Sequence, residues 1–250
     1  MKKVSDICYS DIGHDKQKIN LYLPETQEFS VFVYFHGGGF EMGDKDEAGY
    51  FAEYLTERGI AVVSADYRMY PTAVYPEFLR DGAAAVAWTF KNIENYGKCD
   101  KIYVGGTSAG AYLSAMLCFD KKYLAPFKID PLDIAGYIHN SPQPTTHFNV
   151  LRERGIDSKR IIVDDAAPLF HVGLADNYSP MLVVVSDDDI ENRYMQNMLL
   201  VSTLKAYGHE DKVKLKVMEG KHVRYVFEND ENGINLFGRL VHAYISGGEV

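Results

Sequence analysis

The chain has 250 residues, of which 46% are hydrophobic and 24% charged, so it can form a packed core and is not predominantly disordered. It contains 26 basic and 35 acidic residues, a formal net charge of −9. A chain this acidic repels phosphate backbones, which argues against a nucleic-acid partner. The three cysteines are widely spaced and form no C-x-x-C pair. We therefore expect free thiols in a reducing compartment, with no disulfide framework and no zinc site.

The N-terminal residues differ from a secretory signal peptide. Lys2 and Lys3 are followed by Asp6 and Asp11, where a signal peptide would have an apolar segment. No stretch reaches the roughly 18 consecutive apolar residues that a membrane-spanning helix needs. We therefore expect a cytoplasmic protein with no membrane partner.

Short runs of β-branched and aromatic residues alternate with longer helical patterns along the chain. Eight strands are predicted, at residues 4–9, 18–23, 31–35, 60–65, 101–105, 135–139, 181–186 and 213–218. Five helices are predicted, at residues 47–58, 76–96, 108–119, 193–207 and 233–245. The first two strands lie on either side of a turn at Gly13, so we expect them to form an antiparallel hairpin.

The later strands predict the fold class. The strands at 31–35 and 181–186 are apolar on both faces, which is typical of a parallel sheet covered by helices. We expect an α/β fold with a mostly parallel, eight-stranded sheet flanked by helices. No linker rich in Gly, Pro or Ser interrupts the chain, so residues 1–250 are predicted to form one domain. The irregular stretch 120–178 is predicted to form at most a small cap.

The strongest local motif is Gly106-Thr107-Ser108-Ala109-Gly110, between a predicted strand and a predicted helix. G-x-S-x-G in this context is the pattern of a nucleophile elbow, a tight turn that exposes the serine Oγ above the sheet. The N-terminus of the helix behind it favours developing negative charge. The alternative is a glycine-rich turn in which Ser108 is an ordinary helix N-cap.

A second motif, His36-Gly37-Gly38-Gly39-Phe40, directly follows the predicted strand at 31–35. Consecutive glycines allow the backbone to turn its N–H groups toward a substrate oxygen. An oxyanion loop that faces a nucleophile elbow has to lie at this end of that strand. The alternative is a merely flexible loop, but two motifs at complementary positions of one sheet favour a catalytic site.

With these motifs the chain resembles the α/β-hydrolase superfamily, and within it the HGGG-type esterases related to hormone-sensitive lipase and the small acetylesterases. The segment Asp66-Tyr67-Arg68 also matches those enzymes. The resemblance implies that Ser108 is the nucleophile and that the N–H groups of Gly38, Gly39 and Ala109 receive the oxyanion. The larger lipase-like members have cap helices before the first strand. Here the first predicted strand begins within a few residues of the start of the sequence, so we expect only a minimal cap.

The triad acid follows the serine along the chain in this family. The strand at 181–186 ends in three aspartates, Asp187, Asp188 and Asp189, and each of them is a candidate. The spacing between Pro180 and the acid in similar enzymes selects Asp189. The other two aspartates are expected to lie in solvent or to cap the next helix.

Three histidines, His209, His222 and His242, lie after the acid. His209 is at the end of one predicted helix and His242 is inside another. His222 follows the last predicted strand in a turn that resembles the family's strand–Gly–x–His turn. We therefore expect His222 to be the catalytic base.

Two further roles are expected near the oxyanion loop. Asp66 and Arg68 are predicted to brace this loop through an ion pair or backbone hydrogen bonds. Asp81, near the start of an alanine-rich helix, is predicted to interact favourably with the helix dipole.

Together these features predict a serine carboxylesterase that hydrolyses short-acyl, acetyl-type esters through an acyl-enzyme. The alcohol part could be a sugar. We expect a small-molecule ester as the substrate, no metal or organic cofactor, and a monomer or a homodimer. The alternatives are a peptidase or a formamidase on the same fold, or a non-catalytic ligand-binding homologue.

Overall fold

The structure is a computed structural model that describes all 250 residues. Its strands are β1 (Lys2–Cys8), β2 (Lys18–Leu23), β3 (Glu28–Phe35), β4 (Ile60–Ala65), β5 (Lys98–Thr107), β6 (Gly136–Asn140), β7 (Met181–Asp188) and β8 (Val213–Lys221). They form one sheet in the order β1-β2-β4-β3-β5-β6-β7-β8. β2 is antiparallel to β1 and to β4, and all other neighbours are parallel. The predicted α/β class and the mostly parallel, eight-stranded sheet are confirmed.

Six α-helices accompany the sheet: α1 (Gly49–Thr56), α2 (Glu77–Asn92), α3 (Ala109–Phe119), α4 (Phe148–Glu153), α5 (Arg193–Ala206) and α6 (Leu236–Ile245). Buried residues of α2, α3 and α5 belong to one core cluster, and those of α1 and α6 belong to the other. The five predicted helices are present, with ends that differ by a few residues, and α4 was not predicted. None of these helices is long and apolar enough to cross a membrane.

The central strand β3 shows why the sheet is covered on both faces. Val31, Val33 and Phe35 belong to one core cluster, whereas Phe32 and Tyr34 belong to the other. All five side chains are fully buried, because successive residues of a strand point to opposite faces. Each buried side chain of this size contributes about 1.5–3 kcal/mol of hydrophobic free energy. An apolar run without alternation therefore requires a helix layer on each face.

The register of the parallel strands brings their carboxyl ends to one edge of the sheet. Phe35 of β3 pairs with Gly106 of β5, and Thr107 of β5 pairs with Asn140 of β6. Polar residues that directly follow the strands therefore lie along a common edge, where α/β folds bind their ligands. These residues are His36, Asp66, Ser108, Ser141, Asp189 and His222.

The stretch 120–178 is not one continuous segment outside the sheet, because β6 lies within it and forms a central strand. Two connections flank β6, at residues 120–135 and 141–180. The second connection reaches the oxyanion loop, since the amide of Asn149 donates a hydrogen bond to the carbonyl of Gly39 at 3.2 Å. A cap role for the stretch 120–178 stays a prediction.

Arg68 does not contact the oxyanion loop as predicted. Its guanidinium donates two hydrogen bonds to Asp81, from Nε to Oδ2 at 2.8 Å and from Nη2 to Oδ1 at 2.9 Å. Asp81 is buried and also accepts a bond from Gln17 at 2.7 Å. The side chain of Asp81 therefore forms a buried ion pair that joins α2 to the segment after β4. This contact, and not a helix dipole, accounts for a carboxylate at this position.

Candidate active site

Ser108 occupies a strained turn between β5 and α3. Its backbone has φ +55° and ψ −110°, outside the usual regions for a residue with a Cβ. Gly106 and Gly110 allow the chain to approach itself, because a Cβ on Gly110 would lie 2.1 Å from the carbonyl oxygen of Phe35. The Ser108 N–H donates to the carbonyl of Asn140 at 2.8 Å. The turn therefore has the geometry predicted for a nucleophile elbow.

His222 lies within hydrogen-bond distance of Ser108. Its Nε2 atom is 2.9 Å from Ser108 Oγ, and its Nδ1 atom is 2.5 Å from Asp189 Oδ1. About a fifth of the His222 side chain is exposed, whereas the Asp189 side chain is fully buried. The structure therefore brings together the serine, histidine and aspartate that the sequence analysis selected.

Asp189 is held by hydrogen bonds to both of its oxygens. Oδ1 also accepts from the N–H of Ile190 at 2.7 Å, and Oδ2 accepts from Ser141 Oγ at 2.6 Å and from the N–H of Ser186 at 3.3 Å. Burial alone would raise the pKa of Asp189, but the bonds from His222 and Ser141 outweigh it and lower the pKa below its usual value. Asp189 is therefore ionised at neutral pH and can stabilise a positively charged imidazole.

The other two aspartates make different contacts. Asp187 accepts a hydrogen bond from the N–H of Gly220 at 2.8 Å, and Asp188 pairs with Lys221 Nζ at 3.0 Å. Both aspartates are exposed, and neither bonds to His222. The alternative histidines also pack elsewhere, with His209 against Tyr178 and His242 against Tyr54.

The predicted oxyanion loop presents unpaired N–H groups at the same edge. Gly38 has φ +104° and Gly39 has φ +66°, conformations that favour glycine. The N–H groups of Gly38, Gly39 and Ala109 donate no hydrogen bond within the chain. Ala109 is the first residue of α3, where helix geometry leaves N–H groups free. These three N–H groups are therefore free to donate hydrogen bonds to a ligand.

Asp66 supports the oxyanion loop through its first residue. Asp66 Oδ1 lies 3.4 Å from Nε2 of the buried His36 and accepts the N–H of Lys45 at 2.9 Å. The ring of Tyr67 stacks on the imidazole at a centroid distance of 4.4 Å, and its hydroxyl donates to the carbonyl of His36 at 2.7 Å. The expected bracing role fits Asp66, with Tyr67 rather than Arg68 as its companion.

Two site residues were missed by the sequence analysis. Ser141 bonds to the acid, and it has φ +54°, an unusual value for serine. The ring of Phe148 packs so closely on Gly39 that an added Cβ there would lie 2.9 Å from it. Ser141 directly follows β6, beside β7, so its position at the carboxyl edge could have identified it. Phe148 belongs to the unpredicted helix α4 and carried no such signal.

Two curated proteins resemble this chain over part of their length. The chain is 38% identical over 96 residues to the esterase LipI of Mycobacterium tuberculosis, which covers 38% of this chain and 30% of that protein. It is 30% identical over 114 residues to kynurenine formamidase of Danio rerio, which covers 45% of this chain and 37% of that protein. These matches span less than two fifths of the length of either relative.

A similar fold is present in a solved structure of esterase B from Lactobacillus rhamnosis. The TM-score is 0.80 at 18% sequence identity, with 98% of this chain and 86% of that chain covered. In addition, the family model described as "alpha/beta hydrolase fold" matches residues 32–226. This range contains the oxyanion loop, the elbow, the acid and the histidine, and it covers most of the chain. The predicted resemblance is therefore confirmed, and the chain belongs to the alpha/beta hydrolase fold family.

Proposed function

We propose that the protein is a serine carboxylic ester hydrolase that acts on short-acyl, acetyl-type esters. The observation that carries the proposal is the continuous contact from Ser108 Oγ through the His222 imidazole to the buried carboxylate of Asp189. Unpaired backbone N–H groups beside the serine complete the set of groups that acyl transfer needs. The relatives named as esterases support this class of reaction.

The mechanism follows from the distances within this set. His222 Nε2 accepts the Ser108 proton while Oγ attacks the ester carbonyl carbon. The carbonyl oxygen becomes negative and accepts hydrogen bonds from the N–H groups of Gly38, Gly39 and Ala109. The tetrahedral intermediate then expels the alcohol, which takes its proton from His222, and leaves an acyl-serine. A water molecule activated by His222 repeats the sequence and releases the acid.

Asp189 acts on the imidazole rather than on the substrate. It accepts a hydrogen bond from the Nδ1–H group, so that the Nε2 lone pair faces Ser108, and its charge stabilises the imidazolium formed during each step. Its lowered pKa keeps it ionised at neutral pH.

Ser141 positions Asp189 in this mechanism. We expect Ser141→Ala to lower kcat about 10-fold with little change in KM, because a hydrogen bond to a charged group is lost. Steady-state kinetics with 4-nitrophenyl acetate measure the effect. Ser114→Ala, which removes a buried hydroxyl bonded to His139 at 2.9 Å, is the matched control and should leave kcat within about twofold. Equal effects of the two variants would argue against a positioning role for Ser141.

A small acyl group fits the position of Phe148. Its ring lies against the oxyanion glycine Gly39, so the connection after β6 limits the space beside the reacting carbonyl. We expect kcat/KM to be highest for acetyl to butyryl esters and to fall with longer chains. Each methylene that cannot be buried forgoes about 0.8 kcal/mol.

A series of 4-nitrophenyl esters from acetyl to decanoyl tests the substrate class, and acetylated sugars extend the series to natural alcohols. A maximum at octanoyl or longer would contradict the short-acyl proposal while preserving the esterase proposal. Failure to hydrolyse any ester of the series would contradict both.

Formamidase activity is the second candidate, because one relative is named kynurenine formamidase. The same serine and histidine could attack a formyl amide, with His222 protonating the leaving amine. Formanilide and phenyl acetate, measured in parallel, separate the two reactions. For each compound, kcat/KM is divided by the rate constant of its uncatalysed hydrolysis. Our proposal predicts the larger ratio for phenyl acetate. A larger ratio for formanilide would favour the formamidase.

A further inference from the structure

A polar cavity of about 270 Å³ lies beside the candidate active site. One wall contains Phe148, whose ring packs on Gly39 of the oxyanion loop. Another wall contains Ile190, the residue after Asp189. The cavity therefore borders a residue that contacts the oxyanion loop and a residue adjacent to the triad acid.

The cavity is lined by an excess of positive charge. Lys159, Arg160 and Arg193 line it, and Glu191 is the only acidic residue among the lining side chains. Neither Lys159 nor Arg160 forms an ion pair, and both are exposed. Their charges are therefore free to interact with a ligand in this cavity.

Two nearby arginines on the same connection form ion pairs with acidic residues. Arg152 pairs with Glu41, and Arg154 pairs with Asp164 at 2.6 Å. Within residues 141–180, the two basic side chains without an ion pair, Lys159 and Arg160, are thus the two that line the cavity.

Arg193 is the buried member of this group, with only 3% of the residue exposed. It donates to the carbonyl of Ser141 at 2.7 Å and to Gln143 Oε1 at 3.3 Å, and both acceptors are uncharged. Asp189 attracts it electrostatically, but the oxygens of Asp189 already accept bonds from other groups. Burial lowers the pKa of Arg193 to about 10, so it remains charged at neutral pH. A buried cation without an ion-pair partner is stabilised by an anion bound nearby.

We propose that this cavity binds a carboxylate carried by the ester substrate. Lys159 and Arg160 contact the carboxylate from the rim, and the buried charge of Arg193 attracts it from below. The inference rests on the proposed function and adds a substrate class to it: short esters with a carboxylate on the acyl part or on the alcohol part. Lys159 and Arg160 have flexible side chains with several N–H donors each, and such side chains bind carboxylates well.

Two pairs of matched esters test the proposal and distinguish the two parts of the substrate. 3-Acetoxybenzoate and 3-acetoxybenzamide have a carboxylate and its neutral amide on the alcohol part. Monomethyl glutarate and methyl glutaramate have the same two groups on the acyl part. We expect kcat/KM to favour the charged member of one pair by about 10-fold or more, as for a hydrogen bond to a charged group. Ratios near 1 in both pairs would overturn the proposal.

The variants identify the groups responsible. In Lys159→Gln/Arg160→Gln the ratio of charged to neutral ester should fall to within about threefold of 1, because the rim contacts are lost. The control Lys205→Gln/Lys214→Gln removes the same net charge from two exposed residues without ion pairs, and it should keep the wild-type ratio. Equal losses in both double variants would show a general effect of net charge and contradict a local site.

Two measurements separate this proposal from the proposed function. Hydrolysis of phenyl acetate by the wild-type protein tests the esterase activity alone, and binding of the esters to Ser108→Ala, measured by isothermal titration calorimetry, tests the carboxylate site alone. The Ser108→Ala protein should bind the charged member of the preferred pair at least about 10-fold more tightly than its amide. This comparison decides the carboxylate site even if neither ester is turned over, and equal affinities would overturn it.

Discussion

Ser108→Ala is expected to lower kcat for 4-nitrophenyl acetate by about 10⁴-fold or more. The substitution removes the only oxygen within hydrogen-bond distance of His222 Nε2, so no covalent intermediate can form. The free N–H groups of the oxyanion loop would remain, and they account for whatever slow hydrolysis persists. Initial rates at saturating ester, corrected for the uncatalysed reaction, give the ratio.

The fold should tolerate this change. Alanine retains the Cβ that Ser108 already holds at φ +55°, and the hydroxyl makes no hydrogen bond except the one to His222. A thermal melt within a few degrees of wild type would verify this. Retention of more than a tenth of wild-type kcat by a folded Ser108→Ala protein would refute its role as the nucleophile.

Asp189→Asn is expected to lower kcat by a similar factor, about 10⁴-fold. Asparagine can turn its NH₂ group toward Nδ1 of His222, which favours the tautomer with the proton on Nε2. That tautomer cannot accept a proton from Ser108. The neutral amide would also fail to stabilise the imidazolium. Steady-state kcat and a thermal melt on the purified variant give the result.

Asp187→Asn and Asp188→Asn are the matched controls and should retain kcat within about tenfold of wild type. The asparagine oxygen at position 187 can still accept the N–H of Gly220. At position 188 the change removes an exposed ion pair with Lys221, worth at most about 1 kcal/mol. If Asp187 or Asp188 proved the sensitive position instead, the contact between Asp189 and His222 would not be the functional one.

The sheet could be predicted from the sequence because its strands have clear apolar sequence patterns. In β3 and β7 the apolar runs have no polar alternation, and only a parallel sheet between two helix layers buries both faces of such strands. Each motif directly follows a predicted parallel strand, so the site residues were expected at the carboxyl edge of the sheet. Ser108 and His222 each follow a strand in a turn that contains glycine, so their positions could be predicted from the sequence alone.

Other parts of the site depend on contacts that leave no local pattern. Helix α4 has only six residues, too few for a helical periodicity to be recognised. The pairing of Arg68 with Asp81 instead of the oxyanion loop depends on how α2 lies across the segment after β4. The support that Ser141 gives to Asp189 arises only when β6 and β7 are placed side by side.

The choice among three adjacent aspartates shows the same limit. Residues 187–189 are all acidic, so composition and periodicity give no reason to prefer one of them. The structure separates them because β7 continues to Asp188, which leaves Asp189 as the first residue of the turn. From there it faces the loop that contains His222, while Asp187 faces Gly220.

Covalent labelling tests most directly whether Ser108 is an activated nucleophile and distinguishes an enzyme from a non-catalytic binding protein of the same fold. The protein is incubated with diethyl 4-nitrophenyl phosphate, digested and analysed by mass spectrometry, with heat-unfolded protein as the control. We predict one diethylphosphoryl group per chain, on Ser108, and loss of ester hydrolysis in proportion to labelling. An unmodified Ser108 in the folded protein, or equal labelling of the unfolded control, would contradict the account.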